Sequence, residues 1–305
     1  MWGDCERTYA MIKKAIAVLC VCLPSFVTCM LYKLIGYKIG KNSRIPIFSF
    51  VYADKIELGN DVDIRAFVFI SVSRLFLGHN TIISFGTQIF GRKSFQAKDN
   101  TFVGVQCLIH CEEDVKIGFY SGLGPRCVVY THGSFLPVTK GYPAKFEPVV
   151  LEDYVWTGMS VVYLPGTYIE ENCIINPGVV VDSRIAANTL LKLAPGSFQR
   201  IKLEKLQKYF IKSNKYYLEE MLKQFLDSEN CDYTHEKQNY LFVLNSGASY
   251  CYNPDENIIF FKYNEHEIKY DFENYFSEKS SYELHLRFLF FIRRRFGVIL
   301  RTIYE

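Results

Sequence analysis

The sequence predicts an all-β fold, a chain wound into a coil with three flat faces, and three observations lead there. In VVLEDYVWTGMSVVYLPGTYIEENCIINPGVVV, Leu151, Thr157, Tyr163, Ile169, Ile175 and Val181 recur every six residues, a period that belongs to neither a helix nor a single strand. The register runs back through Val129, Leu123, Ile117, Ile109, Val103, Ala97, Ile89, Ile83, Leu77, Ile70, Ile64, Leu58, Val51, Ile45 and Ile39, and forward to Ala187; all but Ala97, Thr157, Tyr163 and Ala187 are Ile, Leu or Val. The longer intervals follow every third hexad, after Val51, Ile70, Ile89, Ile109 and Val129. Three hexads therefore make one turn, and insertions leave from one corner without disturbing the stacked faces.

Seven such coils, stacked at the strand spacing, make a prism about 34 Å long. Gly40, Gly59, Gly78, Gly104, Gly118, Gly124 and Gly158 each follow an inward residue, where a tight corner favours a residue without a Cβ. A sandwich of short strands is the competing reading of the same turn signals.

The N-terminal segment differs in kind. AIAVLCVCLPSFVTCMLY, Ala15 to Tyr32, has no charge and is framed by Lys13 and Lys14 before it and Lys33 and Lys38 after it. It sits at the lower length limit for crossing a bilayer. Pro24, Ser25 and Thr28 interrupt it, and no small-residue cleavage site of secretory type follows. Three readings stay open: a helix seated on a membrane, a helix packed over the end of the coil, or a span.

After Arg200 the hexads stop. Leu203, Leu206 and Phe210, then Leu218, Met221, Leu222 and Phe225, fall at helical spacing. Short strands between Tyr240 and Phe272 alternate with the turn signals NSG and NPDEN and predict an antiparallel meander. SYELHLRFLFFIRRRFGVILRTIYE mixes apolar residues with Arg287, Arg293, Arg294, Arg295 and Arg301. It suits a helix lying on an anionic membrane or a core helix with a solvated basic edge. The division is thus 1–38, an N-terminal hydrophobic helix; 39–200, the coil; and 201–305, a small C-terminal α+β extension.

A chain of 305 residues, 49% hydrophobic, can bury one large core and a smaller appendage. Its ten cysteines show no paired framework and no zinc spacing. Cys107, Cys127 and Cys173 fall on or beside inward positions and read as reduced structural thiols of a cytoplasmic protein. A net charge of +3 without a long basic run argues against nucleic acid.

The hexads, with VWTGMSVVYLPGTYIEENCIINPGVVV and AANTLLKLAPGS, resemble the hexapeptide-repeat acyltransferases over Gly36 to Arg200, in particular the branch that O-acetylates surface polysaccharides. The resemblance implies a left-handed parallel β-helix, a hand that spacing alone does not supply, since parallel crossovers are normally right-handed. It also implies a homotrimer with acetyl-CoA between subunits, and a saccharide acceptor, free or lipid-linked. If the Ala15 to Tyr32 segment and the Arg-rich C-terminal helix lie on the inner face of the cytoplasmic membrane, a lipid-linked acceptor comes within reach of the active site. Trp156, Gly158 and Ser160 match the residues that meet the pantetheine arm in that family, and Gly178 and Pro195 match those lining the same groove. The chain departs at Ser183–Arg184 and at APGS, which ends in Ser197, so the contact to the CoA 3′-phosphate falls to Lys192 or Arg184.

His132, in CVVYTHGSFLPVTKGYPAKFEPVVLEDYVW, opens the long loop three residues past Val129. Similar acetyltransferases carry their base in this context. Transfer from a thioester to a hydroxyl needs a base of near-neutral pKa, and imidazole supplies it. The register puts Glu112 one coil below His132, where a carboxylate would orient the ring; the plain alternative is a solvated EED corner. His110 is the second candidate base, and His79 reads as surface. A non-catalytic scaffold or saccharide-binding protein stays open. Carbonate hydration on a shared metal is set aside because His110 and His132 stand far apart in sequence, so no metal ligand is assigned. A nucleotidyltransferase is set aside because no nucleotide-binding domain precedes the hexads.

Overall fold

The computed structural model describes residues 2–134, 136–192, 217–236, 240–264, 266–274, 276–278, 280–296, 298 and 300–303. The chain divides into two compact units, residues 1–132 with 145–197, and residues 133–144 with 198–305.

The first unit is a parallel β-solenoid, not a sandwich. Its three faces, called A, B and C in chain order, stack the inward residues in parallel register. Face A carries Ile39, Leu58, Leu77, Ala97, Ile117, Leu151, Ile169 and Ile185, so the coil makes about eight turns where seven were expected. Face B carries Ile64, Ile83, Val103, Leu123, Thr157, Ile175 and Leu191. Face C carries Val51, Ile70, Ile89, Ile109, Val129, Tyr163 and Val181. From Val51 to Val181 all but Leu58 are at most 2% exposed, and each Ile, Leu or Val side chain among them taken from water contributes roughly 1.5–3 kcal/mol.

The register departs from expectation at its last step. Ile185, not Ala187, pairs with Ile169, and Ala187 is only half-buried. The turn after Val181 is two residues shorter than the hexad spacing, and on either side of Ile185 the Glu170 carboxylate accepts the Ala187 amide at 2.9 Å and the Arg184 guanidinium at 2.7 Å.

The corner glycines act by close approach, and positive φ falls elsewhere. A Cβ on Gly118 would lie 2.3 Å from the Glu152 carbonyl carbon one coil on, so the coils can stack only where that atom is missing. The left-handed conformation between faces A and B is taken instead by a column of residues that includes Asn80, Asn100, Asn172 and Asn188, with φ 55, 57, 55 and 59°. Asparagine tolerates this region, and neighbours bond side chain to side chain, as from Asn172 Nδ2 to Asn188 Oδ1 at 2.6 Å. Thiols also tie the corners: Cys107, Cys127 and Cys173 donate at 3.2 Å to the carbonyls of Gly124, Gly158 and Ala186.

Two helices, not one, cap the first coil: α1, Trp2–Cys20, and α2, Ser25–Leu34. Pro24 separates them, since it fixes φ and discourages helix in the residue before it. Ala17, Cys20, Thr28 and Tyr32 are buried, and the hydroxyls of Tyr32 and Tyr37 each donate at 2.5 Å to the carbonyls of Val51 and Ala53. The segment is therefore packed over the end of the coil. Among the described residues no helix is long and apolar enough to cross a membrane.

The second unit holds a seven-stranded sheet in strict meander order, Tyr233–Glu236 to Phe276–Glu278 antiparallel, with Arg301–Ile303 added in parallel. Helices α3, Tyr217–Ser228, and α4, Glu283–Phe296, complete its core. In α4, Phe288 and Ile292 are fully buried, and Arg287 pairs with Glu229 at 2.6 Å and with Glu283. The helix is thus packed into the core of this unit. Leu203, Leu206 and Phe210 lie outside the described residues.

Candidate active site

The insertion leaves the solenoid at the corner between faces C and A. There Phe90, His110 and Tyr130 occupy one position in three successive coils, each directly after an inward residue and paired across the sheet. Phe90 and His110 lie with ring centroids 4.5 Å apart. The chain then turns through Thr131, whose hydroxyl donates to the His110 carbonyl at 2.8 Å and accepts the Glu113 amide at 2.9 Å. The returning strand is tied down where the Glu147 amide donates to the Thr131 carbonyl at 3.0 Å.

This anchoring sets His132 edge-on against His110, with centroids 4.3 Å apart and planes at 77°. Tyr130 and Phe146 flank it at 6.1 and 5.7 Å. The two histidines, far apart in sequence, therefore share one site, contrary to the expectation from their spacing. Glu112 Oε1 lies 3.2 Å from His110 Nε2, and its side chain is only 5% exposed. A carboxylate so far out of water needs a partner, and the imidazole N–H provides one. Glu112 is thus buried within hydrogen-bond reach of His110, in the coil below His132. Asp114, beside it, accepts from the Ser94 hydroxyl at 2.6 Å and from its amide at 3.1 Å. Among the described residues no group of three or more His, Cys, Asp or Glu side chains could hold a metal ion.

The residues matched to a CoA groove lie elsewhere. Trp156 is on face B, half exposed, over Gly122 one coil down: a Cβ there would meet the indole Cζ3 at 2.7 Å. Its ring also lies along Phe102, at 6.2 Å and 30°. Gly158 follows on the same face, and Ser160, φ 56°, and Gly178, φ 74°, stack at the corner between B and C. Lys192 is exposed beyond Leu191. Arg184 is on face A, pairing with Glu170 at 2.6 Å and stacked over Tyr168 at 4.6 Å. Pro195 lies outside the described residues. The structure thus gathers Trp156, Gly158, Ser160 and Gly178 into one region, sets Arg184 apart, and places His132 and Glu112 at the corner opposite face B.

The sequence reading missed Phe90, Tyr130, Gly122 and Phe146. The first two were within reach, since they hold the His110 position in neighbouring coils, and Gly122 stands in the Trp156 position one coil earlier. Phe146 had no signal, because a returning loop has no period.

No known family profile matches the chain. Over 109 residues, 35% of this chain, it is 34% identical to a Schizosaccharomyces pombe protein named as an acetyltransferase. The chain spans about half the length of that curated relative, 49%. Among solved structures it is similar to two mutants of AntD, an N-acyltransferase from Bacillus cereus, each in complex with dTDP and coenzyme A. These align at TM-score 0.38 with 16% and 18% identity, covering 60% of this chain and 96% and 95% of theirs. The solenoid and the local likeness to the yeast protein fit the hexapeptide-repeat acyltransferases.

Proposed function

We propose that this protein is an acetyl-CoA-dependent O-acetyltransferase acting on a hydroxyl of a saccharide, with His132 as general base. The observation that carries the reading is the His110–His132 pair with its buried Glu112, built at the corner where the insertion departs. Imidazole at that corner takes the hydroxyl proton as the oxygen attacks the thioester carbonyl. Glu112 holds His110, and His110 in turn holds the edge of His132, so His110 and Glu112 are positioning residues. The bound thioester supplies the acetyl group, and the proton taken by His132 goes to the departing thiolate. The likeness to an acetyltransferase-named protein supports the class of reaction, and the free cysteines suit a reducing, cytoplasmic setting.

The assembly we propose is a homotrimer. The His132 corner and the Trp156 face point away from each other in one chain, so a ligand touching both needs a second copy. Face B and its corner expose Trp156, Met159, Ile174 and Leu190 at 46–58%, an apolar surface of the kind that subunits cover.

The test is to incubate purified protein with acetyl-CoA and an extract of the host's glycans and to look for an acetyl-sized mass increase. The same addition should be lost with His132→Asn. Absence of any acetylated product, in protein whose fold and acetyl-CoA binding are intact, would refute the reading.

A further inference from the structure

We infer that the two-helix cap seats this protein on an anionic lipid bilayer, lying in the interface without crossing it. The inference rests on the cap alone and not on the proposed activity. One face of α1 and α2 is spent on the solenoid, where Ala17, Cys20, Thr28 and Tyr32 are buried. The opposite face is apolar and open to solvent: Met11, Val18 and Leu19 on α1, and Phe26, Met30 and Leu34 on α2, are 55–76% exposed. Phe26, Met30 and Leu34 stand four residues apart, so they form one stripe along α2.

The charge identifies the occupant. Residues 11–53 contain six Lys and Arg and no Asp or Glu, although Asp4 and Glu6 precede them on α1 and two of the cations, Lys38 and Arg44, pair with Glu57 and Asp63 at 3.6 Å. At the chain-wide frequency of 32 carboxylates in 305 residues, four or five would be present in that stretch. Lys13 and Lys14 reach back toward the solenoid: Lys13 Nζ donates to the Asp54 carbonyl at 2.7 Å, and Lys14 Nζ sits 5.1 Å over the Tyr52 ring. They hold the cap down with its apolar stripe outward. Lys33 lies exposed between Met30 and Leu34, and Lys41 is exposed just beyond the cap. An apolar stripe with Lys33 exposed within it and Lys41 exposed just beyond it matches an anionic membrane surface. Neither α1 nor α2 is both long and apolar enough to span.

The experiment is co-flotation of the full chain with vesicles of phosphatidylcholine alone, or mixed with phosphatidylglycerol, at low and high salt. The chain should float with the mixed vesicles, less with the neutral ones, and less at high salt. Phe26→Asp with Leu34→Asp should abolish flotation. Lys33→Glu with Lys41→Glu should weaken it about tenfold or more, since each cation near an anionic surface is worth roughly a factor of five. All four side chains are exposed, so circular-dichroism melts should match the parent; if the apolar pair unfolds the chain, the lysine pair decides. The inference is overturned if the chain stays unbound with mixed vesicles, or if the lysine variant floats like the parent. It is also overturned if the apolar variant dissociates an oligomer in lipid-free solution, which would make this face a contact between copies.

Discussion

His132 meets His110 edge to face, with ring centroids 4.3 Å apart, although 22 positions separate them in the chain. One coil of 20 residues, from Ile109 to Val129, brings them together. Each ring also touches a second aromatic, Phe90 for His110 and Phe146 for His132. A pair confined in this way can hold an imidazole in place for proton transfer.

If His132 is the base, His132→Asn should lower turnover roughly 10²- to 10⁴-fold while leaving acetyl-CoA affinity nearly unchanged. Glu112→Gln should cost less, because it removes an orienting charge and leaves both rings, and it should shift the pH–rate profile. Steady-state kinetics on folded variants decide this. A His132→Asn enzyme near full activity beside an inactive His110→Asn enzyme would transfer the base to His110.

The assembly should be a multiple of the 35.5 kDa chain, and specifically three. Light scattering on active preparations measures it. Ile174→Lys, which puts a charge on a residue now 53% exposed, should dissociate the trimer and remove activity without lowering the melting point of the subunit by much. Activity in a 35.5 kDa species would contradict the assembly.

Gly118→Ala should destabilise the solenoid by about 1–3 kcal/mol, since overpacking here presses on backbone that cannot turn aside. Gly133→Ala is the control, because nothing lies within 4 Å of its added Cβ; surface changes of that kind stay within about 0.5 kcal/mol. Urea titration compares them.

Acid should weaken the corner at Asp114. Burial by itself would raise this carboxyl, but the Ser94 hydroxyl and amide, aided by Lys116 and Lys93, hold it below the usual range. A carboxyl depressed in the folded state contributes stability above its unfolded pKa of about 3.9, and loses it as the pH falls through the lower folded value. The stability difference between the parent and Asp114→Asn should therefore be largest near neutrality and shrink below about pH 4. Denaturant melts at the two pH values measure this, and a constant difference would remove Asp114 from the account. The group is partly exposed, so screening keeps the effect small.

The solenoid was legible because its physics is periodic. Each inward residue must be apolar and each insertion must leave from a corner, so from Val51 to Val181 the hexads state the core in one dimension. The register was lost at Ala187, because the last corner is shorter and Ile185 takes the face A position over Ile169. A hexad count carried past a shortened corner names the wrong residue.

The sequence by itself determined the coil, the position of its large insertion, the break at Pro24 and the histidines at the corner where that insertion departs. Only the tertiary structure decided that Glu112 faces His110, that His110 and His132 share a site, that the uncharged N-terminal segment caps the coil with one apolar face left in water, and that Arg184 is drawn toward Glu170. The reason is the direction of the interactions. Burial of a repeated apolar residue acts along the chain at fixed intervals, whereas a carboxylate chooses its partner among side chains that only winding brings within about 3 Å.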